Sequence, residues 1–274
     1  MIGLCRDVPK WPNTLKQENY QIECIEANIP QSKPDLILSN HQKNHSLFVD
    51  CKSKTLERKQ IENYDHIQKN PHLVIQSGKV KTPHPQQFQL DPTLCSFSDL
   101  SAEPLVTEFN FPCLHVVESK QKPTIIDQIS LNTGRFKNSK VNTVFPIDTS
   151  HCVPPVFLYP FSDLDVEIFT IRILQYLHQT GIKKKTFTVE DMLFKIHGMW
   201  KYIDNQKIFK TKASSILIDL QNKGLKKYLK RQNNEWSVDI KTDNKSHQAF
   251  QKKCIEIERE LERKSYQDVL SLEI

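Results

Sequence analysis

Two carboxylates and one ammonium group stand out in the stretch KPDLILSNHQKNHSLFVDCKSK, residues 33–54: Asp35, Asp50 and Lys52. Such a trio can cut a phosphodiester with a metal-activated water. A Mg²⁺ or Mn²⁺ ion needs hard oxygen ligands, and two carboxylates plus a backbone carbonyl supply them. A lysine beside them can orient the water or offset charge that develops on the phosphate. Asp50 and Lys52 are two residues apart on an expected strand, so they point to one face. Cys51 points away between them, and its carbonyl stays available to a metal. Asp35 opens the preceding strand and approaches Asp50 if the two strands form a hairpin. The same three charges also suit the solvated ends of an ordinary hairpin, with Lys52 guarding an edge strand. These residues alone leave both readings open.

The elements that must position them follow from periodicity. YQIECIEAN (20–28), DLILS (35–39) and SLFVDCK (46–52) read as three strands. TLERKQIENYDHIQ (55–68) has helical spacing: Leu56, Ile61, Tyr64 and Ile67 share a face, and Thr55 is a candidate N-cap. HLVIQ (72–76) reads as a buried strand, so a helix joins two strands as a crossover and the class is α/β with a mixed sheet. Residues 78–104, with prolines at 83, 85, 92 and 104, read as a long loop; 108–119 reads as strand, and 122–132 suits helix or strand. The segment 148–163 reads as a linker.

The C-terminal third has a different texture. A helix is expected over 163–181, capped by Asp163, with Val166, Phe169, Ile173 and Leu177 on one face and Gly181 at its end. Thr188 and Asp191 begin a second helix in capping-box positions, and Gly224 stops a third that starts near 205. KKYLKRQNNEWSVDI (226–240) reads as a hairpin turning at Asn233–Asn234. Three helices followed by a hairpin are the order of a winged helix-turn-helix, a mainly α module that holds DNA. A charged helix over 250–264 closes the chain.

With the elements in place, the motifs carry a resemblance. PD at 34–35, FVDCK at 48–52 and the Q-x-x-x-Y spacing of Gln60 and Tyr64 within QIENY resemble the PD-(D/E)xK nuclease superfamily, and its RecB-type branch in particular. The resemblance spans roughly residues 15–77. It implies a restriction-endonuclease-like sheet with flanking helices, with Asp35, Asp50, Lys52, Gln60 and Tyr64 as catalytic residues. The implied metal is Mg²⁺ or Mn²⁺, held by Asp35, Asp50 and the Cys51 carbonyl. The family carries a further acid on a helix before the first strand. That helix has no clear counterpart here, and among Glu18, Glu23 and Glu26 the expectation falls on Glu23. The domains then read as a nuclease-like unit over 1–150, a linker over 151–162, a winged helix over 163–245 and the charged helix over 246–274.

Composition narrows the partners. The 274 residues are 38% hydrophobic and 26% charged, as in a folded protein. No run suits a membrane span, and MIGLCRDVPKWPN lacks the apolar core of a signal peptide. Seven scattered cysteines without a C-x-x-C pair argue against a disulfide framework or a zinc site, and with them for a cytoplasmic protein with reduced thiols. The net charge of +6 is uneven: residues 181–253 hold 17 basic and 7 acidic residues. Such a local block suits nucleic acid, and Lys207, Lys210, Lys212, Lys226, Lys227, Lys230 and Arg231 are its candidate contacts. His41 and His45 read as loop histidines, and the basic segment 131–140 as a further phosphate contact. The expected function is a metal-dependent DNA endonuclease of phage defence, restriction or a mobile element. A partner protein or a homodimer would complete it. The alternatives are a non-catalytic DNA-binding or assembly subunit on the same fold, or a winged-helix regulator.

Overall fold

Short aliphatic runs separated by polar turns, and two helices long enough to cross over, dictate a mixed sheet in the first part of the chain. The structure, a computed structural model, describes residues 1–8, 10–52, 56–120, 125–152, 166–183, 186–240 and 243–271. Two units are distinguished: Met1–Val156 with Tyr202–Asp204, and Phe157–Lys201 with Asn205–Ile274.

The first unit is an α/β structure. Its strands are β1 (Gln21–Ile25), β2 (Leu36–Asn40), β3 (His45–Lys52), β4 (Gln89–Ser96), β5 (Cys113–Glu118), β6 (Ile126–Thr133) and β7 (Ile147–Asp148), and they lie in the sheet in chain order. β1, β2 and β3 form an antiparallel meander; β3, β4 and β5 run parallel; β6 and β7 return antiparallel. Parallel neighbours require crossovers. α2 (Arg58–Lys69) and α3 (His72–Gln76) supply one between β3 and β4, and α4 (Pro104–Phe109) supplies the next. The short α1 (Thr14–Gln17) precedes β1, and α5 (Ser139–Asn142) precedes β7. α2 turns Ile61, Tyr64 and Ile67 inward. Ile61 and Tyr64 pack with Leu94, Val106 and Phe111, and Ile67 packs with Ile37, Phe48, Val74 and Leu90. Each such side chain contributes about 1.5–3 kcal/mol on burial, which fixes the helix against the sheet.

Three expectations fail here for identifiable reasons. HLVIQ is not a strand but the helix α3. Pro71 precedes it in the helical region (φ −63°, ψ −17°), which restarts a helix directly after α2. The strand that completes the crossover is β4, inside the segment expected to be a loop. Its Pro92 is tolerated because of register. The N–H of Gln89 points toward β3, donating to Asn44 O, and that of Leu94 points toward the β5 side, donating to Pro112 O. Pro92 has the parity of Leu94, and β5 pairs only from Leu94 onward, so no ladder bond is lost at Pro92. The third concerns α2, which starts at Arg58 with Glu57 at its N-cap; Thr55 lies outside the described residues.

The second unit runs α6 (Val166–Lys183), β8 (Thr186–Thr188), α7 (Val189–Ile196), α8 (Gln206–Leu220), β9 (Leu229–Gln232), β10 (Glu235–Val238) and α9 (Asn244–Ser271). β8 was not expected; it joins the hairpin in a three-stranded antiparallel sheet ordered β8-β10-β9. Thr188 caps α7 in a full capping box with Asp191. Phe169, Ile173 and Leu177 of α6 are buried, whereas Val166 is exposed; the proposed Asp163 cap lies outside the described residues. Gly181 does not end α6. A Cβ there would come within 2.6 Å of Ile240 Cδ1, so its role is close packing. α9 buries Phe250, Cys254 and Ile257. Among the described residues no helix is long and apolar enough to cross a membrane.

Candidate functional site

Pairing of β2 with β3 brings the two acids together. Leu36 lies opposite Val49, so Asp35 falls one step beyond the pair and meets the end of β3. Asp35 Oδ2 accepts the Cys51 N–H at 2.6 Å. Asp50 is buried, and its Oδ2 accepts from Lys52 Nζ at 2.8 Å and from Gln60 Nε2 at 2.9 Å. The Lys52 ammonium also donates to Gln60 Oε1 at 2.5 Å. Gln60 thus grips both strand residues from the first turns of α2, and the three side chains form one connected group with Asp35 close to Asp50. Burial and the charge of Asp50 push the Asp35 carboxyl up to about 6, against the lowering effect of its bond from Cys51. Cys51 itself turns to the other side of the strand, where hydrogen bonding with its register partner Cys95 pushes its thiol upward.

Tyr64 lies one turn along α2 from Gln60 and is buried. Its hydroxyl makes no hydrogen bond among the described residues, although Asp50, Ser32 and Gln60 lie around it. Desolvation and the Asp50 charge hold the phenol protonated. Ser32 Oγ is also buried without a hydrogen bond among the described residues. Neither Ser32 nor the cavity it borders was singled out from sequence. The available signal was helical spacing, because Asn63 lies three residues after Gln60 on the same side of α2.

Glu23 is not part of this group. It sits where the β1–β2 register shifts between Ile22 and Cys24. Its carboxylate lies 3.1 Å from His41 Nε2 and accepts the Lys81 N–H at 3.4 Å. His41 follows the far end of β2, so Glu23 faces away from the acids. Glu26, whose N–H donates to Asp35 O, is the nearer of the candidates in backbone terms.

The donor set at Asp35 and Asp50 fits a hard divalent cation: two carboxylates and the Cys51 carbonyl offer only oxygen. Two acids crowded closely enough to raise one of them also favour an added positive charge. Among the described residues no group of three or more His, Cys, Asp or Glu side chains is gathered for a metal. A cation here would therefore rest on two carboxylates, backbone oxygen and water.

His45 is not a solvated loop residue. It begins β3, fully buried, with Nδ1 2.6 Å from Tyr20 OH and Nε2 2.9 Å from Asp91 Oδ2. Asn138 donates to Tyr20 OH at 3.0 Å, and the Lys137 N–H donates to Asp91 Oδ2 at 2.7 Å. Lys137, within the basic segment 131–140, also turns its ammonium inward to Leu90 O.

In the second unit, Lys207, Lys226, Lys227, Lys230 and Arg231 are exposed, and Lys210 and Lys212 are half-buried. Lys210 pairs with Glu190 at 2.8 Å, and Lys230 pairs with Asp239. Lys227 lies over the Tyr228 ring and Arg231 over the Trp236 ring.

Residues 162–270 match a family model described as a domain of unknown function, DUF8601. The chain is also similar to the Uncharacterized protein MJECL32 of Methanocaldococcus jannaschii, with 30% identity over 156 residues, 55% of this chain and 34% of that protein. It therefore spans about a third of the length of that curated relative. No solved structure matches. Residues 1–159, more than half of the chain, match the model of the MJECL32 domain, and the chain belongs to that family.

Proposed function

We propose that this chain is a metal-dependent nuclease of the PD-(D/E)xK type whose second unit is a winged helix that holds DNA. One observation carries the reading: Asp50, Lys52 and Gln60 form a single bonded group at the end of β3, with Asp35 held beside them by the Cys51 N–H. The order of an antiparallel meander, a crossover helix and a parallel strand supports it. Asp35 and Asp50 would hold Mg²⁺ or Mn²⁺, which when bound lowers the pKa of its water and offsets phosphate charge. The Cys51 N–H fixes the Asp35 carboxylate. Gln60 fixes Lys52 by accepting from its ammonium, so the cation stays beside the position where a phosphate oxygen would gain charge. Tyr64 closes the apolar floor beneath them and limits water.

The sequence of α6, β8, α7, α8 and the β9–β10 hairpin supports the winged-helix reading. Lys207, Thr211 and Ser215 recur every four residues on the exposed side of α8. The exposed lysines at 226, 227 and 230 belong to the hairpin end. Lys210 and Lys230, already paired with acids, are weaker candidates for DNA than their exposed neighbours.

A second reading, a DNA-binding subunit without catalysis, draws on Glu23, which is occupied by His41 instead of facing the acids. One assay separates the two. Supercoiled plasmid and circular single-stranded DNA are incubated with the protein and Mg²⁺ or Mn²⁺, beside Asp50→Ala and Lys52→Ala. Loss of one catalytic group lowers the rate on the order of a hundredfold or more. Cutting that both variants lose supports the nuclease. Equal cutting by all three sinks it, and salt-sensitive binding with no cutting favours the second reading.

A further inference from the structure

Beside the acids, a cavity of about 740 Å³ opens between the β1–β2 connection and the first turns of α2. That volume is within the roughly 300–1,000 Å³ of small-ligand sites. Gln31, Ser32, Lys33, Glu57, Lys59 and Asn63 border it, and Gln60 forms part of its wall. The residue that ties Asp50 to Lys52 therefore also faces the cavity.

Three features say what the cavity would take. Ser32 is 93% buried, since only 7% of its surface is exposed, and its hydroxyl, next to that of Tyr64, makes no hydrogen bond among the described residues. A buried hydroxyl without a bond carries a desolvation cost that a ligand group can remove. Gln31, Lys33, Lys59 and Asn63 make no side-chain hydrogen bond or ion pair among the described residues. Finally, α2 begins without a side-chain cap, so the Arg58 and Lys59 amides of its first turn, beside the cavity-lining Glu57 and Lys59, are not bonded to a capping side chain. Two lysines and the helix amides, against the single carboxylate of Glu57, leave the lining net positive and favour an anion. The Gln31 and Asn63 carboxamides favour a flat ligand edge with a donor and an acceptor next to each other.

A nucleotide combines those needs. We infer that this cavity is a nucleotide subsite, in which Lys33, Lys59 and the α2 amides take a phosphate and Gln31 and Asn63 read the base. Adenine is the base whose edge a carboxamide complements with paired bonds. The inference rests on the nuclease reading for its place in a reaction: the nucleotide next to the broken bond leaves its stack and enters the cavity, and cutting prefers adenine there.

The test has two arms, both on the full chain. In the first, a randomised single-stranded oligonucleotide is cut with Mn²⁺ and the fragment ends are sequenced. Adenine enriched roughly tenfold at one position flanking the cut is expected. Asn63→Ala and the milder Gln31→Asn should each reduce that enrichment, whatever their rates. In the second, dAMP, dCMP, dGMP and dTMP are titrated calorimetrically into metal-free protein. Tighter binding of dAMP, evened out by Asn63→Ala, supports the subsite without any cleavage. If dAMP is selected but no oligonucleotide is cut, the subsite stands and the nuclease reading falls. Equal binding of all four, no binding, or a preference indifferent to Asn63 overturns the subsite.

Discussion

Asp35 is the residue on which the site turns. It is half-buried next to Asp50, and its charge is disfavoured in the metal-free protein. Its carboxyl is raised from 3.8 to about 6, so between those values the folded state holds a proton that the unfolded state has lost. Stability then falls as pH rises from about 4 to about 6 and is level above. Asp35→Asn should therefore be more stable than the wild type above pH 6, by about 1 kcal/mol after allowing for solvent screening. The gain should vanish near pH 4. Mg²⁺ or Mn²⁺ should raise the melting temperature of the wild type and leave that of Asp35→Asn unmoved. Thermal melts at pH 4, 5 and 7, with and without metal, check both statements. At this scale the sequence was legible where a simple period holds. Asp50 and Lys52 share a strand face, and Gln60 and Tyr64 share a helix face. Glu23 was misread because the register shift at Ile22–Cys24 breaks the strand alternation on which the expectation depended. His45 was misread because its partners, Tyr20 and Asp91, are distant in the chain.

Among the elements, α7 offers the clearest measurement. The Thr188 side chain accepts the Asp191 N–H, and the Asp191 carboxylate accepts the Thr188 N–H. Thr188→Ala should cost about 1 kcal/mol, read as a lower denaturant midpoint at unchanged slope. Bonds from Thr188 lower the Asp191 carboxyl below its ordinary value of 3.8. Its contribution is complete above that value and is lost as pH falls through the lowered one, so wild type and Asp191→Asn should converge in acid. The capping box was legible because it is local, four residues that satisfy one another. α3 and β4 were not. A five-residue apolar run fits helix or strand equally, and only Pro71 in its helical conformation decides between them. A proline inside β4 reads as a break until the neighbour it faces is known to start two residues later.

For the whole molecule, the uneven charge predicts salt-dependent association. Residues 181–253 carry a net +10, from 17 basic and 7 acidic residues. Binding of a 30-base-pair duplex should weaken steeply between 50 and 200 mM salt. Replacing the exposed Lys226, Lys227 and Arg231 by glutamate should flatten the plot of log affinity against log salt by about 2–3. Fluorescence anisotropy over a salt series reads that slope, and an unchanged slope would remove these residues from the proposed DNA-binding face. The network around Asp91 has a consequence for how the chain is made. Asn138 reaches Tyr20 across 118 residues, and Lys137 supplies the backbone donor to an aspartate buried on β4. The sheet is therefore fastened by a residue that leaves the ribosome long after its first strands. A nascent chain halted at residue 130 would hold every residue of the acidic site, yet its Asp91 and Tyr20 would lack those late partners. Closure of the Asp91–Tyr20 network is thus a timed event in synthesis, set by the arrival of residues 137 and 138.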